Sequence, residues 1–286
     1  MDPVTLVKLT IIASIFLIVV AIGMQTRPED LIALKDNPRM AVRAMLAMFV
    51  IVPLFVIFFT WALPLQQPIP AALIALSLSP MPPILPNREA KTGADAGYVI
   101  SLQVLAAVAS LVLAPLYALL IGPLFGRDLS FEPLAIFKVL VMTIGAPLAL
   151  GIVIRRYAPG LARRSFHRLA QAGMVSLVAA VLVVLFKVGP RIAEAIGSGV
   201  MLTAIAISLF ALAVGHWLGG PDERNRGALA LTSAARHPGV AIALSTATFT
   251  AEQPLILVSV LIYTAVTIIL TIPYIRWRRR VIARRG

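Results

Sequence analysis

The chain has 286 residues, of which 60% are hydrophobic and only 13% charged; its mean hydropathy is +0.95 and it has no cysteine. Soluble domains run about 45–50% apolar and about 25% charged, so a water-soluble fold is all but excluded, and disulfide frameworks, thiolate metal sites and cysteine nucleophiles go with it. The formal charge of +13 arises from 25 basic against 12 acidic residues that lie between long apolar runs, a pattern of basic loops beside a membrane rather than of a nucleic-acid-binding face.

A hydrocarbon core about 30 Å thick needs roughly 20 apolar residues per helix. Nine segments answer that description: 4–24, 41–63, 69–83, 97–122, 134–154, 169–187, 198–218, 227–247 and 255–275. The expected fold class is all-α, a polytopic membrane protein of nine transmembrane helices. The first segment lacks a basic leader and is followed by more apolar runs, so it reads as a span and not as a signal peptide. Next, Arg27 to Lys35 reads as a short amphipathic helix on the inner membrane surface, with Pro28 in its first turn and Glu29 and Asp30 where the helix dipole favours acids. Pro53, Pro115, Pro147 and Pro273 fall inside spans and predict kinks satisfied by neighbouring helices.

Two segments break the pattern. The third span covers about 22 Å as a helix, too short to cross, and runs into Pro80, Pro82, Pro83 and Pro86, followed by Asn87, Arg88, Glu89 and Lys91. Each proline deletes a backbone donor and opposes regular helix. The eighth span carries Arg236, His237, Pro238 and Gly239 about midway along its length. An arginine at a span centre costs at least about 2.5–3.5 kcal/mol on insertion scales, and is retained where a polar cavity needs it. The two broken spans flank an odd fifth one, so spans 1–4 and 6–9 enter the bilayer upside down relative to each other. Inverted repeats with discontinuous helices crossing at the midplane are the layout of secondary transporters.

With the C-terminus inside, the inner loops gather Arg27, Lys35, Arg39 and Arg43, Arg88 and Lys91, the cluster Arg155 to Arg168, Arg224 and Arg226, and the tail from Arg276 to Arg285. The outer side keeps only Lys8, Arg127, Lys138, Lys187 and Arg191. The positive-inside rule therefore predicts a multi-pass membrane protein with its N-terminus outside and its C-terminus cytoplasmic. The tail from Arg276 to Arg280 reads as a stop-transfer anchor with an interfacial Trp277, or as a contact for anionic lipid.

Three stretches carry a resemblance to a known family. Gly23-Met24-Gln25-Thr26-Arg27-Pro28-Glu29-Asp30-Leu31, running on to Pro38, resembles an amphipathic stretch after an early span. Met48-Phe49-Val50-Ile51-Val52-Pro53-Leu54 resembles a Gln-Phe-x-x-Met-Pro-Leu motif. Ala235-Arg236-His237-Pro238-Gly239-Val240-Ala241 resembles a Met-Gln-Asn-Ser-Gly-Leu-Ala motif in a second broken helix. The family is that of the bile acid:sodium symporters, in a superfamily that also holds arsenite and riboflavin carriers. The resemblance implies a core of spans 41–122 and 198–275 moving against a panel of spans 4–24, 134–154 and 169–187.

The departures from the family are as informative. Its sodium-binding Glu and Gln are replaced by Thr232 and Arg236, the Gln of the Gln-Phe motif by Met48, and a Thr of the following span by Leu105; Ser101 is kept and Asn87 matches an Asn. Hard cations need several oxygen ligands, preferably one of them ionised, and most of these are gone. A guanidinium is a permanent cation. The expectation is therefore a secondary transporter of a small or amphipathic organic anion, working by alternating access without sodium. Arg236 stands in for the lost ion and binds the anion together with His237, Asn87, Ser101, Thr232 and Ser233. Pro82, Pro83, Pro86, Pro238 and Gly239 make the helix breaks, and His237, Glu89 and Asp95 are candidates for proton coupling, since an unperturbed histidine titrates near 6.5. No cofactor, metal or nucleic acid is expected. His167, His216 and His237 are too scattered for a metal cluster. Rival readings are a sodium-coupled symporter with altered ligands, a carrier of an oxyanion such as arsenite, which lacks here the thiol of a soft arsenic site, and a membrane enzyme or assembly subunit that could draw on Glu89, Asp95 and His237 alone.

Overall fold

The computed structural model describes residues 3–27, 38–81, 94, 96–125, 132–197, 199–248 and 253–284. Among them every regular element is helical: α1 (Pro3–Gln25), α2 (Pro38–Ala62), α3 (Ile69–Leu78), α4 (Ala96–Phe125), α5 (Pro133–Tyr157), α6 (Pro159–Gly197), α7 (Val200–Leu218), α8 (Glu223–Ala234), α9 (Pro238–Thr248) and α10 (Gln253–Ala283). Six of the described helices are long and apolar enough to cross a membrane, and their exposed large side chains, such as Phe58, Leu119, Met142, Phe186 and Leu202, are those a lipid-facing surface requires.

Several boundaries differ from those read in the sequence. The arginine-rich stretch 155–168 is not a loop: α5 continues through Arg155 and Arg156 to Tyr157, and α6 begins at Pro159 and runs for 39 residues. Arg163, Arg164 and Arg168 are exposed on the first turns of α6, where a helix loses nothing by carrying charge. The third span ends sooner than its apolar run. Ser79 already has extended backbone (φ −71°, ψ 150°), as the steric demand of Pro80 on the preceding residue requires; helix α3 therefore has only 10 residues. In the eighth span the non-helical residues are 235–237, and Pro238 opens α9 instead of interrupting it, the helix position where a missing N–H costs nothing. The amphipathic segment expected after α1, and Pro82, Pro83, Pro86, Asn87, Glu89 and Asp95, lie outside the described residues.

Pro53 and Pro147 do more than kink their helices. Each follows a π-helical turn, Leu46–Ile51 in α2 and Val141–Gly145 in α5. The ring of a helical proline clashes with the carbonyl four residues back and has no N–H to offer it. The helix responds by widening: Val52 N–H reaches back to Ala47 O and Ala146 N–H to Val141 O, five residues in each case. In α2 this leaves the Met48 and Phe49 carbonyls short of backbone donors. Tyr117 of α4 supplies one, its hydroxyl donating to Phe49 O at 2.6 Å.

Helix α1 lies against α5 and α6, while α2, α3, α7, α8, α9 and α10 pack among themselves. The α1–α5 contact is close enough that a Cβ at Gly151 would collide with the Val20 carbonyl, and one at Gly23 with Leu148 O; small residues that let backbones approach are the usual means of helix association in lipid. At the far end of α10, the buried Arg278 guanidinium donates to the Glu223 carbonyl and pairs with its carboxylate at 2.8 Å, stacked over Trp277. Of the basic tail, this side chain is thus committed to holding α10 against the start of α8. Neither an anchor nor a lipid contact accounts for it.

Candidate functional site

The end of α3 and the gap between α8 and α9 meet in the interior. His237 N–H donates to Pro80 O at 2.9 Å and to Ser79 Oγ at 3.1 Å, while the Ser79 hydroxyl turns back to Leu76 O at 2.8 Å. At the end of α8, Ala235 N–H reaches Leu231 O, and the Tyr263 hydroxyl of α10 donates to Ala234 O at 2.8 Å. Every bond here serves a backbone group that the helix ends would leave orphaned, which is the condition for irregular chain inside a membrane protein.

Arg236 fills the centre of this junction and is 3% exposed. Its guanidinium donates to Ser79 O at 3.2 Å and to Met48 O at 2.5 Å, and its Cζ lies 5.7 Å from the centroid of the Phe49 ring. Met48 O is the carbonyl that the π turn and Pro53 leave without a backbone donor. Ser79 O sits at the negative end of the α3 dipole. Two carbonyls and an aromatic face form the environment of a bound cation, and the cation here is covalently attached. Among the described residues no carboxylate pairs with it; its described partners are the two carbonyls and the Phe49 ring.

The neighbouring His237 faces the other way. Its Nδ1 accepts the Val240 N–H at 3.4 Å, capping the first turn of α9, which leaves the ring proton on Nε2; among the described residues this buried nitrogen has no partner. It lines a cavity of about 20 Å³, enough for a water molecule or the tip of a ligand. The remaining wall consists of Val19 and Ile22 of α1, Ile144 and Leu148 of α5, Pro80 and Met81 of the first break, and Gln103 and Ala107 of α4.

The structure therefore brings Arg236 and His237 together but points their side chains in opposite directions, the guanidinium to the α2 and α3 carbonyls and the imidazole to the cavity. Thr232 Oγ1 bonds Ala228 O at 2.8 Å and Ser101 Oγ bonds Gly97 O at 2.7 Å, each within its own helix. Ser233 is buried against Gly215 of α7. Gly239, in the first turn of α9, packs under Ile15 of α1. Sequence reasoning overlooked Ser79, Tyr117, Tyr263 and Gln103; the only available signal for the last was that it is the single amide in the apolar run 97–122.

Against this geometry the profile of the Sodium Bile acid symporter family matches residues 12–195. The chain belongs to the sodium bile acid symporter family. It is accordingly a multi-pass membrane transporter of that family. The match ends within α6, so the α8–α9 break, where the sodium bile acid symporter motif is most altered, lies beyond it. No curated protein matches the chain.

Proposed function

We propose that this member of the family is a secondary transporter of an organic anion, and that the Arg236 guanidinium takes the place of a coupling sodium ion. The observation that carries the reading is the seat of that guanidinium: the Met48 and Ser79 carbonyls, which a free cation would otherwise claim, are occupied by the chain's own charge. A carrier whose cation never leaves has no sodium gradient to use. The guanidinium charge favours an anion nearby, and His237 offers its Nε2–H to the adjoining cavity; Ser101, Thr232 and Ser233 do not line that cavity, so with Asn87 they remain candidates for substrate contact on sequence grounds.

The proposed architecture is nine spans in two inverted repeats, with the α3 end and the α8–α9 break crossing at the midplane. The panel is α1, α5 and α6, the core is the remaining helices, and alternating access comes from one moving against the other across the cavity. His237, with Glu89 and Asp95, is the proposed route for a coupled proton. The protein sits in a bacterial inner membrane with its C-terminus in the cytoplasm, in keeping with its loop charges.

The test is uptake of labelled carboxylates into proteoliposomes buffered with sodium or with choline. Equal uptake in the two buffers, abolished by Arg236→Gln, is the expected result. Uptake that collapses without sodium overturns the proposal and favours the sodium-coupled alternative.

A further inference from the structure

Two residues on the wall of the cavity beside His237 hold polar atoms without partners among the described residues: Gln103, 4% exposed, at both Oε1 and Nε2, and His237, 2% exposed, at Nε2. Together they present three N–H donors and a carbonyl acceptor. The cavity, about 20 Å³, has room for a single water. One water cannot face the imidazole and both ends of the amide at once. The narrow cavity therefore leaves part of this polar set unserved, which is costly in a protein interior.

The facing wall offers them nothing. Helices α1 and α5 contribute Val19, Ile22, Ile144 and Leu148, side chains that can make only van der Waals contact across the seam. Drawing this wall away from α4 and the α8–α9 break therefore breaks no hydrogen bond at the cavity and admits water to Gln103 and His237. Helix α1 is built to move with its own neighbours: a Cβ at Gly151 of α5 would meet the Val20 carbonyl, and one at Gly173 of α6 would meet Ile18 and the Ser14 carbonyl, so backbone lies against backbone. Across the seam the close approach is between Gly239 and the tip of the Ile15 side chain, a contact that parts without disturbing either main chain.

We infer that Gln103 and His237 form a hydration-driven gate: their polar groups favour the entry of water between α1 and α5 on one side and α4 and the α8–α9 break on the other, and so bias the protein away from the narrow arrangement of the seam. The inference rests on the proposed alternating access and adds to it the residues that set the balance between the narrow and the wide seam. Gln103 acts here on the conformational equilibrium and not as a ligand for solute. Replacing its amide by an apolar side chain of similar size removes the demand for water and holds the seam shut.

The chain has no cysteine, so Val19→Cys places a single thiol on the aliphatic wall. Its rate of modification by a small water-soluble methanethiosulfonate reagent, in the purified full chain, reads how often the seam takes up water; thermal unfolding reads stability. The thiol should react in the Val19→Cys protein, about tenfold more slowly once Gln103→Met is added, and at close to the original rate with Gln103→Asn, which keeps the amide. Gln103→Met should also melt above its parent. Leu148→Cys, on α5, repeats the measurement if Val19→Cys does not fold. A thiol that never reacts, that reacts equally with and without Gln103→Met, or that Gln103→Asn slows as much as Gln103→Met, overturns the gate, as does a Gln103→Met protein that melts below its parent. Neither readout needs a substrate, so these failures leave anion transport standing. Labelling and melting that behave as expected while proteoliposomes take up no carboxylate would instead overturn the transport reading and leave the gate in place.

Discussion

Truncating Arg236 should turn an occupied cation seat into an empty one. In Arg236→Ala the Met48 and Ser79 carbonyls lose their donor. Met48 O cannot recover one from its own helix because Val52 N–H is engaged by Ala47 O and residue 53 is proline. Each buried orphan acceptor costs about 1–3 kcal/mol, and the lost contact with Phe49 about 0.5–2 kcal/mol. Relief from keeping a guanidinium out of water returns part of this, leaving a net destabilisation of about 2–4 kcal/mol. A free cation binding the vacated seat restores stability by mass action, about 2.7 kcal/mol at a concentration 100 times its dissociation constant. The assay is thermal unfolding of purified wild type and Arg236→Ala at matched ionic strength in choline, in sodium, and with low millimolar guanidinium. The variant should melt below the wild type in choline and recover most of the difference with sodium or guanidinium, and the wild type should respond to neither. A variant that melts with the wild type in choline, or that no cation restores, would refute the view of Arg236 as a built-in ion.

Other consequences follow from single bonds. Pro53→Ala returns an N–H beside the Phe49 carbonyl and favours reversion of the Leu46–Ile51 turn to α-helix; the Met48 and Phe49 acceptors are then claimed by their own helix, and uptake should fall sharply while the protein remains folded by circular dichroism. Tyr263→Phe removes the donor to Ala234 O and should cost about 1–3 kcal/mol in thermal or denaturant unfolding; an unchanged midpoint would mean that another group caps α8. Glu223→Gln leaves the Arg278 guanidinium buried with its pair neutralised, so it should destabilise more than Arg278→Met, which removes the charge together with the need for a partner. Gly151→Leu forces α1 away from α5 at the Val20 carbonyl and should abolish folded expression, whereas the same change at Gly160, which has nothing near its Cβ direction, should be tolerated.

The helical runs were legible because hydrocarbon admits so few backbone solutions: a 20-residue apolar stretch has little else to be. The same constraint made the α8–α9 break conspicuous, since Arg236, His237 and Pro238 are residues a plain lipid-exposed helix would shed. Details decided by three-dimensional contact were not legible. The prolines of α2 and α5 read as kinks, whereas they open π turns that release carbonyls, and nothing local shows that Met48 O would meet a side chain 188 positions later. The arginines of 155–168 read as a loop because charge was taken as the end of a helix, although the ends of α5 and α6 carry them within regular helix. Arg236 and His237 are adjacent in sequence, yet the non-helical backbone between α8 and α9 sends one side chain inward to carbonyls and the other to a cavity. That division of labour depends on dihedral angles that residue types alone do not specify.

Equilibrium binding of radioactive sodium to the purified wild-type protein bears most directly on the centre where the two breaks meet. With the Arg236 guanidinium seated on the Met48 and Ser79 carbonyls, no saturable sodium binding is expected at millimolar concentrations, with or without a carboxylate present. A saturable isotherm in the intact protein would contradict the assignment of Arg236 as the resident cation.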